Sequence, residues 1–308
     1  MENMNTLKRT DHFLKYFRDT HPLYSKAIQN CYDNNVEAFT DLAEVMLGWA
    51  ETLLGREYLE ILASGYIHFV NDVNRSQFEY ELDRKYKNKS YEEVYASVYN
   101  NDSYMALYHW GVFTTTFAWE HHLRLYKYFV EHFTNRLGDS GNILDLGSGS
   151  GIWSLLTLRN KKNWRSTGID ISSYSVDMAR QLSLASGHSS VSSFIVDDAL
   201  KYRAQEKYDA LISCFLLEHL EEPGKLFRNA AGNLNDGGYA FITAALTAAE
   251  IDHIFEFRSE SELVTLAEES GFRVISMLSE SPRSHPRKSM FLPRSMAIVL
   301  QKKMNDIW

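Results

Sequence analysis

The residues best suited to hold a ligand are Asp145 and the glycines that follow it at every second position, Gly147, Gly149 and Gly151. The apolar run that ends at Asp145 and Leu146 is typical of a buried parallel strand, and the glycines predict a tight turn into a helix. A turn of bare backbone lets a ligand lie where any side chain would collide. The spacing therefore predicts a ligand site at the end of this strand.

Dinucleotide-binding turns read G-x-G-x-x-G, and their backbone N–H groups and helix N-terminus hold a pyrophosphate. This chain has Ile152 and Trp153 where the third glycine of that motif should fall, and neither permits close packing of helix on strand. Asp145 also suits a ligand with a cationic end better than a pyrophosphate. The turn therefore disfavours a dinucleotide, and the strands downstream must identify the cofactor.

Further strand patterns follow, alternating with helical ones, at residues 164–169, 194–199, 208–215 and 237–243. The first of these leads into Asp170, where a carboxylate is placed to accept hydrogen bonds from ribose hydroxyls. The alternation predicts an α/β fold with a parallel sheet and a site at the carboxyl ends of its strands.

Four motifs carry a family resemblance: DLGSGSG, GIDIS, VDDA and YDALISCFLLEHLEEP, in this order. Together they resemble the class I S-adenosylmethionine (SAM) dependent methyltransferases, over roughly residues 141–302. The resemblance implies a Rossmann-like, seven-stranded, mostly parallel sheet whose last two strands pair antiparallel at the edge. It also implies SAM as the cofactor.

The resemblance assigns cofactor contacts to the glycine turn. It places Gly147, Ser148, Gly149 and Gly151 against the methionyl and ribose parts of SAM. Asp145 would then lie near the methionine amino group.

Further cofactor contacts are implied at the ends of the next strands. Asp170 would bind the ribose hydroxyls, with Ile171 beside the adenine. Asp198 would accept from the adenine amine beside the Ala199 backbone, although the neighbouring Asp197 could take its place.

Cys214 and Phe215, which the resemblance places at the floor of the methyl-transfer site, also argue against nucleic-acid substrates. Methyltransferases that act on exocyclic base amines carry Asn/Asp-Pro-Pro-aromatic at this point, and cytosine-C5 enzymes pair a cysteine with an adjacent proline. Here the first proline after this strand is Pro223. A net charge of −8 and the absence of a basic cluster also disfavour a nucleic-acid partner.

The 308-residue chain is long enough for one large or two modest domains, and its 44% hydrophobic and 23% charged residues are ordinary for a globular protein. It has no apolar run near 18 residues and no secretory signal pattern at its start, so we expect a cytoplasmic protein without a membrane partner. Two cysteines supply neither a disulfide framework nor the cluster of radical SAM chemistry. We expect no metal site.

The first half has helical periodicity, and we expect a helical cap that binds the acceptor in residues 1–140 and a SAM-binding domain in residues 141–308. One long helix, from about residue 102 to 135, is expected to place an aromatic and polar stripe on one face. The polar groups in the first part of this stripe would need hydrogen-bonding partners if they were buried, so this part is expected to line a cavity. The last three residues of the stripe are expected to lie in the core. The stripe comprises Tyr104, Tyr108, Gly111, Thr115, Trp119, His122, Tyr126, Phe129 and Phe133. This layout resembles small-molecule methyltransferases of bacterial and plant secondary metabolism, in which helices form a lid.

Four residues are candidates for catalysis. Transfer of an activated methyl mostly requires proximity and orientation, but a hydroxyl or ammonium acceptor also needs a base, which histidine suits. His122 would come from the cap, and His253 is an expected acceptor contact. His219 either contacts the active site or packs on the following helix, and both readings stay open. Tyr108 is a candidate to close over SAM or substrate.

The prediction is a SAM-dependent methyltransferase acting on a small molecule. Three alternatives stay open: a protein or peptide methyltransferase, a scaffold that binds SAM without using it, and non-methylating SAM chemistry such as cyclisation. The aromatic-rich helical part also leaves open a homodimer.

Overall fold

The computed structural model describes residues 8–99, 101–282 and 291–304, so residues 1–7, 100, 283–290 and 305–308 lie outside the described residues. The part before the glycine turn is helical, as expected. Its helices are α1 (Arg9–Thr20), α2 (Pro22–Asn34), α3 (Val36–Leu54), α4 (Tyr58–Asp83), α5 (Tyr91–Val94), α6 (Asp102–Ala118) and α7 (Glu120–His132). A π-helical turn, Tyr95–Tyr99, continues α5. No helix in the described ranges is long and apolar enough to span a membrane.

The prediction of one long helix is wrong, because the chain leaves helical geometry at Trp119, with φ −102° and ψ 126°. Three successive threonines precede the break. The hydroxyls of Thr114, Thr115 and Thr116 donate to carbonyls of the preceding turn at 2.8–3.0 Å. β-Branched residues whose hydroxyls bond back to the helix weaken and bend it. The predicted stripe is therefore divided between α6 and α7.

The second half forms a seven-stranded sheet with the order β3-β2-β1-β4-β5-β7-β6. Its strands are β1 (Ser140–Leu146), β2 (Asn163–Asp170), β3 (Ser192–Val196), β4 (Tyr208–Ser213), β5 (Leu234–Leu246), β6 (Phe272–Glu280) and β7 (Arg294–Lys302). The first five pair in parallel, and β7 pairs antiparallel with both β5 and β6. The helices between and beside them are α8 (Ile152–Asn160), α9 (Ser173–Ala185), α10 (Gly224–Asn233) and α11 (Glu260–Glu269). This confirms the predicted fold class.

Helix α7 is fixed to the sheet by an aromatic cluster. The ring centroid of Phe129 lies 4.9 Å from that of Phe241 on β5 and 5.0 Å from that of Trp153 on α8. Phe133 packs on the same Phe241 ring at 5.7 Å. Tyr126, Phe129 and Phe133 are buried, so their predicted core position is confirmed.

Helices α4 and α6 approach each other closely at two glycines. A Cβ on Gly65 would lie 2.7 Å from the Trp110 Cβ, and a Cβ on Gly111 would lie 2.4 Å from the Phe69 Cβ. Such separations are far inside van der Waals contact. Gly111 therefore serves helix packing and not the cavity wall that the stripe predicted for it.

Candidate active site

A cavity of about 1480 Å³ lies between the N-terminal helices and the carboxyl ends of the parallel strands. Its described lining includes the glycine turn on one side and Tyr108, Thr115, Trp119 and His122 from α6 and α7 on the other. Small-molecule pockets usually measure about 300–1,000 Å³. The cavity therefore has room for a cofactor and a second small ligand together.

The three glycines of the turn have positive φ angles of 71°, 52° and 76°, but they meet different surroundings. A Cβ on Gly147 would lie 2.6 Å from a Leu216 methyl, and one on Gly151 would lie 2.7 Å from the Phe194 ring. A Cβ on Gly149 would meet nothing within 4 Å, and Gly149 lines the cavity. Two glycines thus permit packing, whereas Gly149 presents bare backbone to the cavity.

Asp170, at the end of β2, is tied to this turn. Its Oδ2 accepts the Gly149 N–H at 2.8 Å, and its Oδ1 accepts the Ser172 N–H at 2.9 Å. Burial raises the pKa of the carboxyl, and these two N–H donors oppose the rise. Each carboxylate oxygen keeps a further lone pair for a ligand. The next residue, Ile171, is 50% exposed and offers the cavity an apolar surface.

Asp145 lies behind the turn and is not among the described residues that line the cavity. It is 2% exposed and accepts a hydrogen bond from the Ser154 Oγ at 2.8 Å. Burial raises its pKa to about 7. Ser148 does line the cavity, and its buried Oγ has no hydrogen-bonding partner among the described residues. The hydroxyl packs against Gly168 on β2, because a Cβ added to that glycine would lie 2.8 Å from it.

After β3, Asp198 and Ala199 line the cavity, and the exposed Asp197 does not join them among the described residues. The Asp197 Oδ1 accepts the Asp198 N–H at 2.7 Å. Asp198 itself accepts the Leu200 N–H at 2.8 Å and pairs with the Lys201 Nζ at 2.9 Å. Of the two acids, Asp198 is the one beside the cavity.

Beyond β4, Cys214 and Phe215 reach the cavity floor. Phe215 has φ +53°, a strained value for a residue with a side chain, and its N–H donates to the Thr243 Oγ1 at 2.9 Å. Its ring centroid lies 5.3 Å from that of His122. Burial lowers the pKa of His122 to about 4, so its imidazole is neutral near pH 7.

Of the two α6 tyrosines that were predicted to line a cavity, one does so and the other does not. Tyr108 lines the cavity, whereas the Tyr104 hydroxyl donates to the Asp72 Oδ2 at 3.0 Å. Sequence reasoning missed further cavity tyrosines on α5 and its π-helical turn, namely Tyr91, Tyr95 and Tyr99. The Ser90-x-x-Glu93 pattern is typical of a helix start, but nothing local predicts the π-helical geometry that follows.

Two histidines and three carboxyl groups meet beside the floor; we call this set the histidine–carboxylate cluster. It follows β4 and β5, which are parallel neighbours, so the loops after them leave the sheet side by side. The Glu218 carbonyl accepts the N–H groups of residues 254 and 255 at 2.8 and 2.9 Å, which holds the two loops together. The cluster comprises Glu218, His219, Glu250, Asp252 and His253.

Both histidines of the cluster make their hydrogen-bonding contacts with the protein through Nδ1. The His219 Nδ1 lies 3.2 Å from the Asp252 carbonyl oxygen, 3.4 Å from the Asp252 Oδ2 and 3.3 Å from the Tyr99 hydroxyl. The His253 Nδ1 lies 2.7 Å from the Ala248 carbonyl. Burial lowers the pKa of His253 to about 3, so this ring is neutral.

The Glu218 carboxyl is 1% exposed. Neither of its oxygens has a hydrogen-bonding partner among the described residues. Burial raises its pKa to about 7, against the opposing charge of His219. The nearby backbone N–H groups of Glu218 and Ala245 also oppose this rise in the pKa, although neither has the geometry of a hydrogen bond to the carboxyl group. The carboxyl is thus buried and incompletely satisfied.

The helical part holds the loop that carries His253. The Tyr86 hydroxyl donates to the Ala248 carbonyl at 2.7 Å, and the Asn88 amide donates to the Ile251 carbonyl at 2.6 Å. The Gln77 side chain accepts the N–H of residue 249 at 2.9 Å. The last turns of α4 and the segment that follows this helix therefore position one wall of the site.

The strand order, the glycine turn and the acid at the end of β2 together are those of a Rossmann-like methyltransferase fold. A family model described as a methyltransferase domain matches residues 119–277, and the chain belongs to this family. The matched residues therefore form a methyltransferase domain.

Two curated relatives are malonyl-[acyl-carrier protein] O-methyltransferases 1 and 2 of Ilyobacter polytropus. Each is 32% identical over 37% of this chain, which covers 42% and 45% of the respective relative. The chain thus matches less than half the length of these proteins.

Two solved structures share the fold, each with a TM-score of 0.50 over 59% of this chain. One is the [4+2]-cyclase SpnF, at 18% identity and 81% of its own chain. The other is a putative sarcosine dimethylglycine methyltransferase from Galdieria sulphuraria, at 16% identity and 86% of its own chain.

Proposed function

We propose that this enzyme moves the methyl group of SAM to a small-molecule acceptor bound between a helical cap, residues 1–140, and a SAM-binding domain, residues 141–308. The observation that carries the proposal is the shared cavity of about 1480 Å³, which the glycine turn and cap residues such as Tyr108 and His122 line together. Its volume suits a cofactor and a small acceptor. A role in secondary metabolism fits the same layout.

We propose that SAM lies along the ends of β1 to β4. The bare Gly149 and the exposed Ile171 support this placement, because each leaves a suitable surface free for a ligand. SAM supplies a methyl group that its sulfonium has already activated. The proposed contacts are Gly147, Ser148, Gly149, Asp170, Ile171, Asp198, Ala199, Cys214 and Phe215, which line the cavity. Asp145 and Gly151, which are not among the described cavity residues, would support the turn from behind.

The acceptor is proposed to lie between the cap and the histidine–carboxylate cluster. On the cap side, Tyr108 and His122 would position it above the floor at Phe215. On the opposite side, His219 and His253 would contact it, and the cluster would take the proton that an oxygen acceptor releases. The curated relatives are named as O-methyltransferases, which favours an oxygen acceptor.

Formation of S-adenosylhomocysteine in the presence of acceptors tests this proposal. The panel should hold small carboxylic acids, phenols, a malonyl-carrier thioester and an unrelated peptide, and the small molecules are expected to support turnover. Turnover with the peptide alone would favour a protein methyltransferase. SAM binding without product from any of them would favour a scaffold or non-methylating chemistry.

Alanine variants of His122, His219 and His253 test the acceptor side. If a histidine assists proton transfer or holds the acceptor, its alanine variant should have a kcat about 10²-fold lower or more, with unchanged SAM affinity. His188→Ala is a matched control, because this half-buried histidine contacts Ser186 after α9 and is not among the described cavity residues. Full activity in all three cavity variants would refute the proposed roles.

A further inference from the structure

The histidine–carboxylate cluster has the composition of a metal centre, although the sequence predicted none. We propose that Glu218, His219 and His253 bind one divalent transition-metal ion in the wall of the acceptor cavity. The inference rests on the proposed function only for the use of the ion, and not for its binding.

The three side chains already converge. Their potential ligand atoms, one from each residue, all lie within 4.8 Å of one another. Nitrogen and oxygen ligands bind such ions at about 2.0–2.2 Å, so two ligands of one ion stand about 3–4 Å apart. Small side-chain rotations would therefore complete the set.

The buried oxygens of the cluster supply an independent observation. Neither carboxylate oxygen of Glu218 has a hydrogen-bonding partner among the described residues. The Oδ1 of Asp252, a residue that is 0% exposed, also has no such partner there. The Asp252 Oδ2 lies 3.4 Å from the His219 Nδ1, and the Glu250 Oε2 lies 3.9 Å from the Nε2 of the neutral His253. A buried carboxylate without a cation or full hydrogen bonding is strongly destabilising. A divalent ion would supply the missing charge.

The two imidazoles are oriented as metal ligands usually are. Ligating histidines direct the nitrogen that does not bind the metal to a carboxylate or a backbone carbonyl. The His219 Nδ1 contacts Asp252, and the His253 Nδ1 contacts the Ala248 carbonyl. Neither contact uses Nε2, although the His253 Nε2 lies 3.9 Å from the Glu250 Oε2, and the ring centroids lie 4.9 Å apart.

The donor set selects a class of ion. Two imidazoles and one carboxylate suit Zn²⁺, Fe²⁺, Co²⁺ or Mn²⁺, whereas Ca²⁺ and Mg²⁺ prefer oxygen ligands alone. Three protein ligands leave a coordination position open, as in catalytic metal sites. Since all three residues line the cavity, an ion there would orient and polarise an acceptor oxygen as a Lewis acid.

Cobalt titration of the full chain tests the inference without SAM or acceptor. The protein is stripped with a chelator, dialysed and titrated with Co²⁺, whose visible d–d absorption reports ligation, and then with Zn²⁺ in competition. We expect one equivalent to bind, and His219→Ala and His253→Ala to weaken binding at least about 100-fold. His109→Gln is the matched control, because His109 is a buried cavity histidine bonded to Ser175.

If a histidine variant does not fold, Glu218→Gln keeps the side-chain volume and is expected to weaken cobalt binding as well. The inference is overturned if wild-type protein gives no cobalt spectrum at one equivalent, or if the spectrum persists unchanged in the ligand variants. Cobalt binding is measured apart from turnover. A failure of methyl transfer would therefore refute the proposed function and leave the metal result standing.

Discussion

Replacement of Gly149 by alanine should remove most of the SAM affinity at a small cost in stability. Gly149 has φ +52°, where a side chain costs about 1–2 kcal/mol. Its new Cβ would meet no heavy atom within 4 Å, so packing adds nothing to that cost. The free energy of unfolding should therefore fall by about 1–2 kcal/mol.

The effect on the ligand follows from distances. An atom of SAM in contact with the Gly149 Cα, at about 3.5–4 Å, would lie only about 2–2.5 Å from a Cβ placed about 1.5 Å further out. The ligand must then shift by more than about 1 Å and give up a hydrogen bond to the adjacent Asp170 carboxylate, worth about 1.5–3 kcal/mol. We expect SAM to bind about 10–150-fold more weakly.

Gly187→Ala is the matched control. Gly187 has φ +76°, and a Cβ added there would also meet no heavy atom within 4 Å, but this glycine follows α9 and is not among the described cavity residues. The variant should lose similar stability in thermal unfolding and keep wild-type SAM affinity in titration calorimetry. If Gly149→Ala binds SAM as tightly as Gly187→Ala does, the cofactor does not lie against the glycine turn.

Asp170→Ala should weaken SAM binding at least about tenfold, because it removes a ribose acceptor and the bond to the Gly149 N–H; unchanged binding in calorimetry would refute the ribose assignment. Gly111→Ala should lower the free energy of unfolding by about 1–3 kcal/mol, since its Cβ would lie 2.4 Å from the Phe69 Cβ. Gly48→Ala, within α3 and 3.8 Å from its nearest neighbour, should be neutral or stabilising. Equal melting temperatures for the two helix variants would contradict the close crossing of α4 and α6.

The sheet and the cofactor side could be predicted because their signals are local. Alternating strand and helix patterns, the glycine spacing and the acid at Asp170 all lie within short windows of sequence. The break at Trp119 could not be predicted in the same way. The helical periodicity of the apolar residues continues through the break, so this pattern alone predicts one helix. The threonine hydroxyls beside the break bond back to the helix and so compete with its continuation.

The acceptor side could be predicted only as separate residues. The sequence identified His219 and His253 as candidates but gave no reason to group them with Glu218 or Asp252. That grouping depends on β4 and β5 being parallel neighbours, which brings the two following loops together. A search based on cysteine spacing could not find a site whose ligands come from two such loops.

The contacts between the helical part and the loop after β5 bear on how the proposed acceptor site is assembled. Gln77, Tyr86 and Asn88 hold backbone groups of residues 248–251, and the same loop then supplies Asp252 and His253 to the cluster. The proposed cap would therefore do more than cover a finished site. Because it fixes one wall and lines the opposite one, any displacement of α4 would change the distance between His122 and the cluster. Acceptor selectivity should accordingly depend on Tyr86 and Asn88, although neither is among the described cavity residues.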